Sequence, residues 1–294
     1  MNLNHLAIFH AVAETRGISL GAERLHISQP AVSKQIQELE RNLGTKLFDR
    51  IPRGVRLTES GELLAGYARR LFALEAEAET ALGELRGLER GRLAVGASLT
   101  IGGYLLPNVL ARFHQRYPGI ELSVEIANTE EVHMRLLDGA VDIGLTEGFL
   151  EHPELEASVF QEDEIVVIVP PGHKLLSEAN VTPQRLCMEP LLMREEGSGT
   201  RAVVERAFAD KGLFPRPVMS LGSIEAIKRA VAAGIGIAMV SGLTTALEEE
   251  AGKLVILRVK EFVVRRPLHL LRLSNRHMSS ATLAFRTELG GGTL

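Results

Sequence analysis

One cysteine, Cys187, stands in 294 residues. A lone cysteine excludes an intrachain disulfide and any cysteine-based metal cluster. Its setting, RLCMEPL, suits a packed small hydrophobe better than a reactive thiol. No uninterrupted apolar run of about 18 residues offers a membrane span. The opening MNLNHLAIFHAVAE lacks the basic start and unbroken apolar stretch of a signal peptide, so a soluble cytoplasmic protein with no membrane partner is expected. The nine histidines are scattered without metal-ligand spacing, so no metal and no cofactor are expected. His5, His10 and His26 read as packing residues of helices.

Catalytic motifs are missing too. The GSGTR at 197–201 lacks the four-residue glycine spacing and the Lys-Ser/Thr of a phosphate loop. Gly96, Ser98 and Thr100 lack the glycine that follows the serine of a nucleophile elbow. In GIGIAMVSG the third glycine is misplaced for a dinucleotide loop. No catalytic residue is assigned, and an enzyme is not expected.

Net charge is only −4, which argues against a chain that binds nucleic acid over its whole surface. The average hides an asymmetry, however. Residues 1–58 hold 8 Lys+Arg against 5 Asp+Glu, and the remainder 25 against 32. A basic head on an acidic body implies an anionic partner for the head alone.

In that head, Leu3, Leu6, Ile8, Phe9, Val12 and Ala13 share one helical face. Gly17 is expected to end the helix and Ser19 to cap a short second one. A third helix follows in SQPAVSKQIQELERNLG. Ser28 caps it, Pro30 sits in its first turn, where the missing N–H costs nothing, and Gly44 stops it. Val32, Ile36, Leu39 and Leu43 form its buried stripe. The opposite face opens with Gln29, Pro30, Ser33, Lys34 and Gln37. Amide and hydroxyl donors with a cation, at a helix N-terminus, suit the major groove of double-stranded DNA. A solvated helix face would have the same look, so the neighbours decide. The preceding short helix makes a helix-turn-helix. After it, KLFDRIPRGVRLT carries Lys46, Arg50, Arg53 and Arg56 around a Pro52–Gly54 turn, a basic wing for the phosphate backbone or minor groove.

The stretches LAIFHAVAETRGIS, AERLHISQPAVSKQIQELERNLGTKLFDR and RLTESGELL resemble, collinearly, the head of the LysR-type transcriptional regulators. The resemblance implies that Gln29, Pro30, Ser33 and Lys34 face promoter DNA and that Arg53 sits on the wing. It implies RNA polymerase as a further partner. Gly21 departs from the small helix former usual there, and a glycine in a helix suggests a slightly looser one.

From Thr58 the chain reads as one helix to about residue 90. Leu64, Tyr67, Leu71, Leu74, Ala78, Ala81, Leu85 and Leu88 keep a strict heptad seam, the mark of a coiled coil rather than a helix lying on its own domain. A homodimer through this helix is expected, and the family resemblance implies a homotetramer.

Residues 91–294 alternate strand and helix, which predicts right-handed βαβ units and a mainly parallel sheet in two lobes. The expected organisation is 1–58 winged helix-turn-helix, 59–90 linker helix and 91–294 effector domain. Its lobes are 91–162 with 266–294, and 163–265. The fold class is thus multidomain α+β: winged helix-turn-helix, long helix, and a two-lobed α/β effector domain resembling the periplasmic binding proteins. The return of the last strand and helix to the first lobe is what the LysR-type resemblance implies.

Ligands of such folds bind between lobes, beyond the C-terminal ends of strands. Three stretches are placed there: Ser98 and Thr100, Thr146 and Glu147, and Ser198, Gly199, Thr200 and Arg201. Hydroxyls, glycine N–H groups and helix N-termini offer donors and few acceptors, which suits a small anion. Ser98 and Thr100 are equally placed to cap the next helix, and both roles are compatible. Arg201 either holds the anion or pairs with Glu147, Glu195 or Glu196. The pairing of GAS-T-G--LLP with EEGSGTR resembles the sulfur-metabolism branch of the family, which implies a sulfite- or sulfate-like effector, with a small carboxylate as the alternative. A stand-alone two-lobed solute-binding protein is the competing reading, but it leaves the first 90 residues unexplained.

Overall fold

A computed structural model describes residues 2–52, 54–84, 91–149 and 152–290. Arg53, Leu85 and Leu88 lie outside the described residues. The chain forms two compact units, Met1–Ala81 (with Asp138–Ala140) and Leu82–Leu137 with Val141–Leu294.

In the first unit α1 spans Leu3–Thr15, α2 Ile18–Arg24 and α3 Gln29–Leu43. The α1–α2 junction differs from expectation. Arg16, not Gly17, takes the left-handed conformation, at φ 51°. Gly17 caps α2 without a side-chain bond, and Ser19 lies inside the helix. Gly21 has a packing role in α2. A Cβ there would come within 2.7 Å of Val12 Cγ2 and 3.1 Å of Val12 Cα, so the bare glycine lets α2 lie directly on α1.

The turn signals of α3 work as read. Ser28 Oγ accepts from Ala31 N at 3.4 Å, and Gly44 ends the helix at φ 70°. Val32, Ile36 and Leu39 are buried, but Leu43 and Leu3 are exposed. Strands β1 (Phe48–Ile51) and β2 (Gly54–Leu57) form an antiparallel hairpin. Gly54 sits at φ 128°, where a Cβ would lie 2.4 Å from Arg16 O; only glycine lets Val55 N bond that carbonyl, at 3.1 Å.

Helix α4 covers Glu59–Glu84, 26 residues, or about 39 Å at 1.5 Å per residue. Its first turns belong to the head's own core. Ala65 and Ala68 are buried with Leu6, Phe9, Leu39 and Leu47, and Leu64 and Phe72 pack on them. Each large side chain buried there contributes about 1.5–3 kcal/mol. The seam is therefore split: Leu64 turns inward, while Tyr67, Leu71 and Leu74 are exposed, along with Leu63 and Leu82.

In the second unit, β3 (Gly91–Ser98), α5 (Leu99–Tyr104), α6 (Leu106–Arg116), β4 (Ile120–Ala127), α7 (Thr129–Leu137) and β5 (Ile143–Glu147) build the first lobe. The long β6 (Leu155–Val169) leads to α8 (Pro183–Leu186), β7 (Leu191–Arg194), α9 (Gly199–Ala209), β8 (Met219–Leu221), α10 (Ile224–Ala232) and β9 (Ile237–Ser241). A 3-10 turn at Gly242–Thr244, α11 (Ala246–Glu250), β10 (Val255–Leu257), β11 (Val264–Leu273) and α12 (Ser280–Gly290) complete it.

The strands run β4-β3-β5-β11-β6-β9-β7-β8, with β10 on β6. The sheet is mixed rather than mainly parallel. β4-β3-β5 and β9-β7-β8 are parallel triplets, and β6 and β11 join them as antiparallel strands. Two strands crossing between lobes in opposite directions impose this. One core gathers Val95, Ile101, Phe113, Leu268 and Phe285; Phe285 of α12 stands edge-on to Phe113, with centroids 5.3 Å apart. The other gathers Ile165, Val167, Phe208, Met239 and Val264. Where β6 and β11 pass from one core to the other, Asp163 and Arg266 are register partners.

Candidate functional site

The predicted cleft residues stand at or just beyond the ends of three strands, β3, β5 and β7. Ser98 closes β3, and its Oγ caps α5 by accepting from Ile101 N at 3.3 Å. The same hydroxyl donates to Glu147 Oε2 in a short hydrogen bond. One side chain thus caps a helix and bonds Glu147. Thr200, in the first turn of α9, donates to Glu147 Oε1 at 3.4 Å. Thr146 Oγ1 lies 3.4 Å from His133 Nε2. Thr100 Oγ1 is buried without a partner among the described residues. Ser198 caps α9 through Arg201 N, at 3.4 Å.

Backbones meet where the lobes close. Gly199 N donates to Thr129 Oγ1 at 3.1 Å, and a Cβ on Gly199 would lie 2.1 Å from Glu147 O. This close approach is the reason for glycine at the position. Beyond it a cleft of about 440 Å³ opens; of the predicted effector residues Ser198, Gly199 and Arg201 line it, with His133 and Phe149, while Ser98, Thr100, Thr146, Glu147 and Thr200 are buried.

The cation of the site is Arg266, which sequence reasoning missed. Its Nη1 donates to Thr200 Oγ1 at 2.8 Å and lies 3.5 Å from Glu147 Oε1. Its Nε donates to Asp163 Oδ2 at 2.8 Å, and Ser241 Oγ donates to Asp163 Oδ1 at 2.8 Å. The guanidinium is 1% exposed, so its charge acts in a low-dielectric setting where a missing partner is costly. Arg201, the cation taken from sequence, is not bonded to this cluster. It pairs with Glu205 at 2.8 Å and only distantly with Glu196, at 3.9 Å, while Glu195 pairs with Arg194.

Burial holds the Asp163 carboxyl above the usual range despite Arg266 and Ser241. Burial likewise lowers His133, with His152 and His269 as further causes, and lowers His269. A histidine whose folded pKa is depressed binds fewer protons folded than unfolded. The stability it contributes is present above the unfolded value of 6.5 and is lost as pH falls through the folded one. Between pH 7.5 and 5.5 thermal stability is expected to fall, each such proton contributing up to about 1.4 kcal/mol per pH unit. Asp163 acts in the opposite sense, so the informative quantity is the difference in slope between wild type and His133→Gln in calorimetry. Equal slopes would remove His133 from the account.

The DNA-facing candidates cluster on the other unit. Gln29, Pro30, Lys34 and Gln37 are exposed on α3, and Ser33 is half-buried. A groove of about 300 Å³ is lined by Ser33 and Gln37 of α3 and by Arg50 of β1. Lys34 and Arg50 have no carboxylate partner among the described residues, whereas Lys46 pairs with Glu40 at 2.5 Å and Arg56 with Asp49 at 3.4 Å.

A helix-turn-helix with a hairpin wing, on a chain that also carries a two-lobed α/β unit with a buried polar cluster, defines a DNA-binding sensor. The comparisons give the family. The model described as bacterial regulatory helix-turn-helix protein, lysR family, matches residues 3–62, and the LysR substrate binding domain matches 86–292. The chain belongs to the LysR family of transcriptional regulators. It is 38% identical over 286 residues to the RuBisCO operon transcriptional regulator of Allochromatium vinosum, covering 97% of this chain and 94% of that one. Among solved structures, the regulatory domain of Synechocystis PCC6803 CcmR in complex with 2-PG matches at 33% identity and TM-score 0.64, over 69% of this chain and 97% of that one. A full-length OxyR variant of Pseudomonas aeruginosa shares the fold, with TM-score 0.76 and 24% identity over 99% and 98%. These relatives are regulators, not enzymes, and they lend no support to the sulfur-metabolism branch. Among the described residues no helix is long and apolar enough to cross a membrane.

Proposed function

We propose that this LysR-type regulator binds promoter DNA through α3 and the wing and senses a small anion in the cleft at Ser98, Thr100, Thr146, Glu147, Ser198, Gly199, Thr200 and Arg201. One observation carries the reading. Buried hydroxyls and a buried guanidinium converge on a carboxylate, and that carboxylate belongs to the chain's own Glu147. An anion entering the cleft competes with Glu147 for the same donors, and Thr100 Oγ1 supplies one that is unused. The CcmR regulatory domain, solved in complex with 2-PG, makes 2-PG the first compound to test. Sulfite, sulfate and small carboxylates follow.

Residues 1–58 read DNA, 59–90 pair copies and 91–294 sense, in this account. Exposed Tyr67, Leu71 and Leu74 on α4 support pairing of two copies, and pairs of dimers would give a tetramer. Effector binding changes the angle between lobes 91–162/266–294 and 163–265, and through the paired helices the spacing of the DNA-reading heads. A ligand that favours neither lobe arrangement shifts nothing.

Thermal-shift titration of the full chain tests the site. At about 100 times Kd an effector stabilises by about 2.7 kcal/mol, a shift of several degrees. Thr200→Ala, which removes the hydroxyl between Arg266 and Glu147, is expected to cut affinity about tenfold or more. No shift with any of the four probe classes, or an unchanged affinity in Thr200→Ala, would sink the cleft assignment.

A further inference from the structure

A second polar cluster joins the lobes away from the effector residues. Lys228 of α10 is 3% exposed. Its Nζ donates to Tyr104 Oη at 3.0 Å and to Thr244 O at 2.8 Å, and lies 2.8 Å from both Glu225 Oε1 and Glu248 Oε1. Tyr104 in turn donates to Glu225 in a short hydrogen bond. Burial alone would depress this ammonium, yet its bonds to Glu225, Glu248 and Tyr104 carry it above the ordinary lysine value. One nitrogen thus holds the last residue of α5, in the first lobe, to α10, α11 and the 3-10 turn of the second.

Helix α5 needs such an anchor. It has six residues, LTIGGY, fewer than an isolated helix requires, and two are glycines, the weakest helix formers after proline. Gly102 presses on β4, where a Cβ would lie 2.9 Å from Ile126 Cγ1. Ile101 seats its middle in the first-lobe core, and its ends set the rest of its placement. Ser98 caps the first, and Tyr104 is the last helical residue, followed by the cap Leu105. Thr100, one of the proposed effector residues, rides on this short element, and Ser98, at the end of β3, caps it.

We infer that Lys228 is a positioning residue for the effector cleft: by holding Tyr104 it ties the far end of α5 to the second lobe and sets where Thr100, carried by α5, presents its hydroxyl beside Ser98. The ligand part of this inference rests on the cleft reading above. Coupling runs both ways, since a clasp that places α5 for the anion is also tightened when the anion draws α5 inward.

The test uses the full chain with Tyr104→Phe, Lys228→Met and the double variant. Amide hydrogen exchange reads the clasp without ligand, and calorimetry with 2-PG and sulfate reads the site. Tyr104→Phe is expected to speed exchange in 99–104 about tenfold or more while α6 and α10 stay protected, and to weaken anion binding about tenfold. The double variant is expected to be no worse than the poorer single one, because both act through one contact. If Lys228→Met fails to fold, Tyr104→Phe, which leaves Lys228 paired to both carboxylates, decides alone. Unchanged exchange in 99–104 would overturn the clasp. Faster exchange with unchanged anion affinity would overturn the positioning role. If the wild type itself binds neither probe, the cleft reading fails, and the exchange result still rules on the clasp.

Discussion

Replacing Arg266 by methionine is expected to destabilise the effector-binding unit by about 3–5 kcal/mol, the range for removing one partner of a buried ion pair. For a unit of this size that is a fall in melting temperature of about 10 °C. The expectation follows from what the guanidinium leaves behind. Asp163 is 5% exposed and Glu147 2%; without Arg266 both carboxylates face burial with hydroxyl donors alone. Methionine fills similar volume, so the loss reports charge and hydrogen bonding rather than a cavity. Arg266→Met with Asp163→Leu is expected to recover part of the loss, because an apolar pair carries no stranded charge. Scanning calorimetry separates the two units if they melt apart. A fall of less than about 1 kcal/mol in the single variant would mean that the cluster is open to water and the pairing inconsequential.

Arg266 also shows where sequence reasoning stops. The head was legible because its signals are local: Ser28, Pro30 and Gly44 punctuate α3, and Val32, Ile36 and Leu39 repeat at helical spacing. Ser98 was legible as a cap, with a helix following it. Arg266 meets Asp163 across 103 residues and Thr200 across 66, and no local pattern encodes that. One trace was present. In β11 the inward positions alternate Val264, Arg266, Leu268 and Leu270, so a cation stands in the apolar phase of a strand, where it must have a buried partner. Arg201 drew attention instead because it adjoins a glycine-bearing helix start, yet Glu205, one turn along α9, takes it up. At the α1–α2 junction, propensity favoured Gly17 for the left-handed residue. Gly17 is needed in an extended conformation at the start of α2, and Arg16 bears the strain.

The DNA contacts proposed for α3 and the wing are where the largest loss of function is expected. Gln29 and Lys34 are exposed in the first turns of a helix whose N-terminus Ser28 caps. A bidentate amide–base contact is worth about 1–3 kcal/mol of discrimination. The double variant Gln29→Ala/Lys34→Ala is therefore expected to weaken specific promoter binding by about 100-fold, measured by gel shift with the promoter region of its own operon, while binding to random duplex falls far less. Arg50 stands beside Gln37 and Ser33 in one groove and has no carboxylate partner among the described residues, so it is free to neutralise a phosphate. Arg50→Ala is expected to lower affinity for every sequence alike and to reduce the slope of log affinity against log salt by about 1. Arg53, implied on the same wing, is expected to act likewise. Arg56, already paired with Asp49, should change the slope less than Arg50, because Asp49 must give it up first. Equal binding of the promoter by the wild type and Gln29→Ala/Lys34→Ala would remove α3 from the interface. An equal drop for specific and random duplexes would leave α3 in the interface but as a phosphate contact, with sequence read elsewhere.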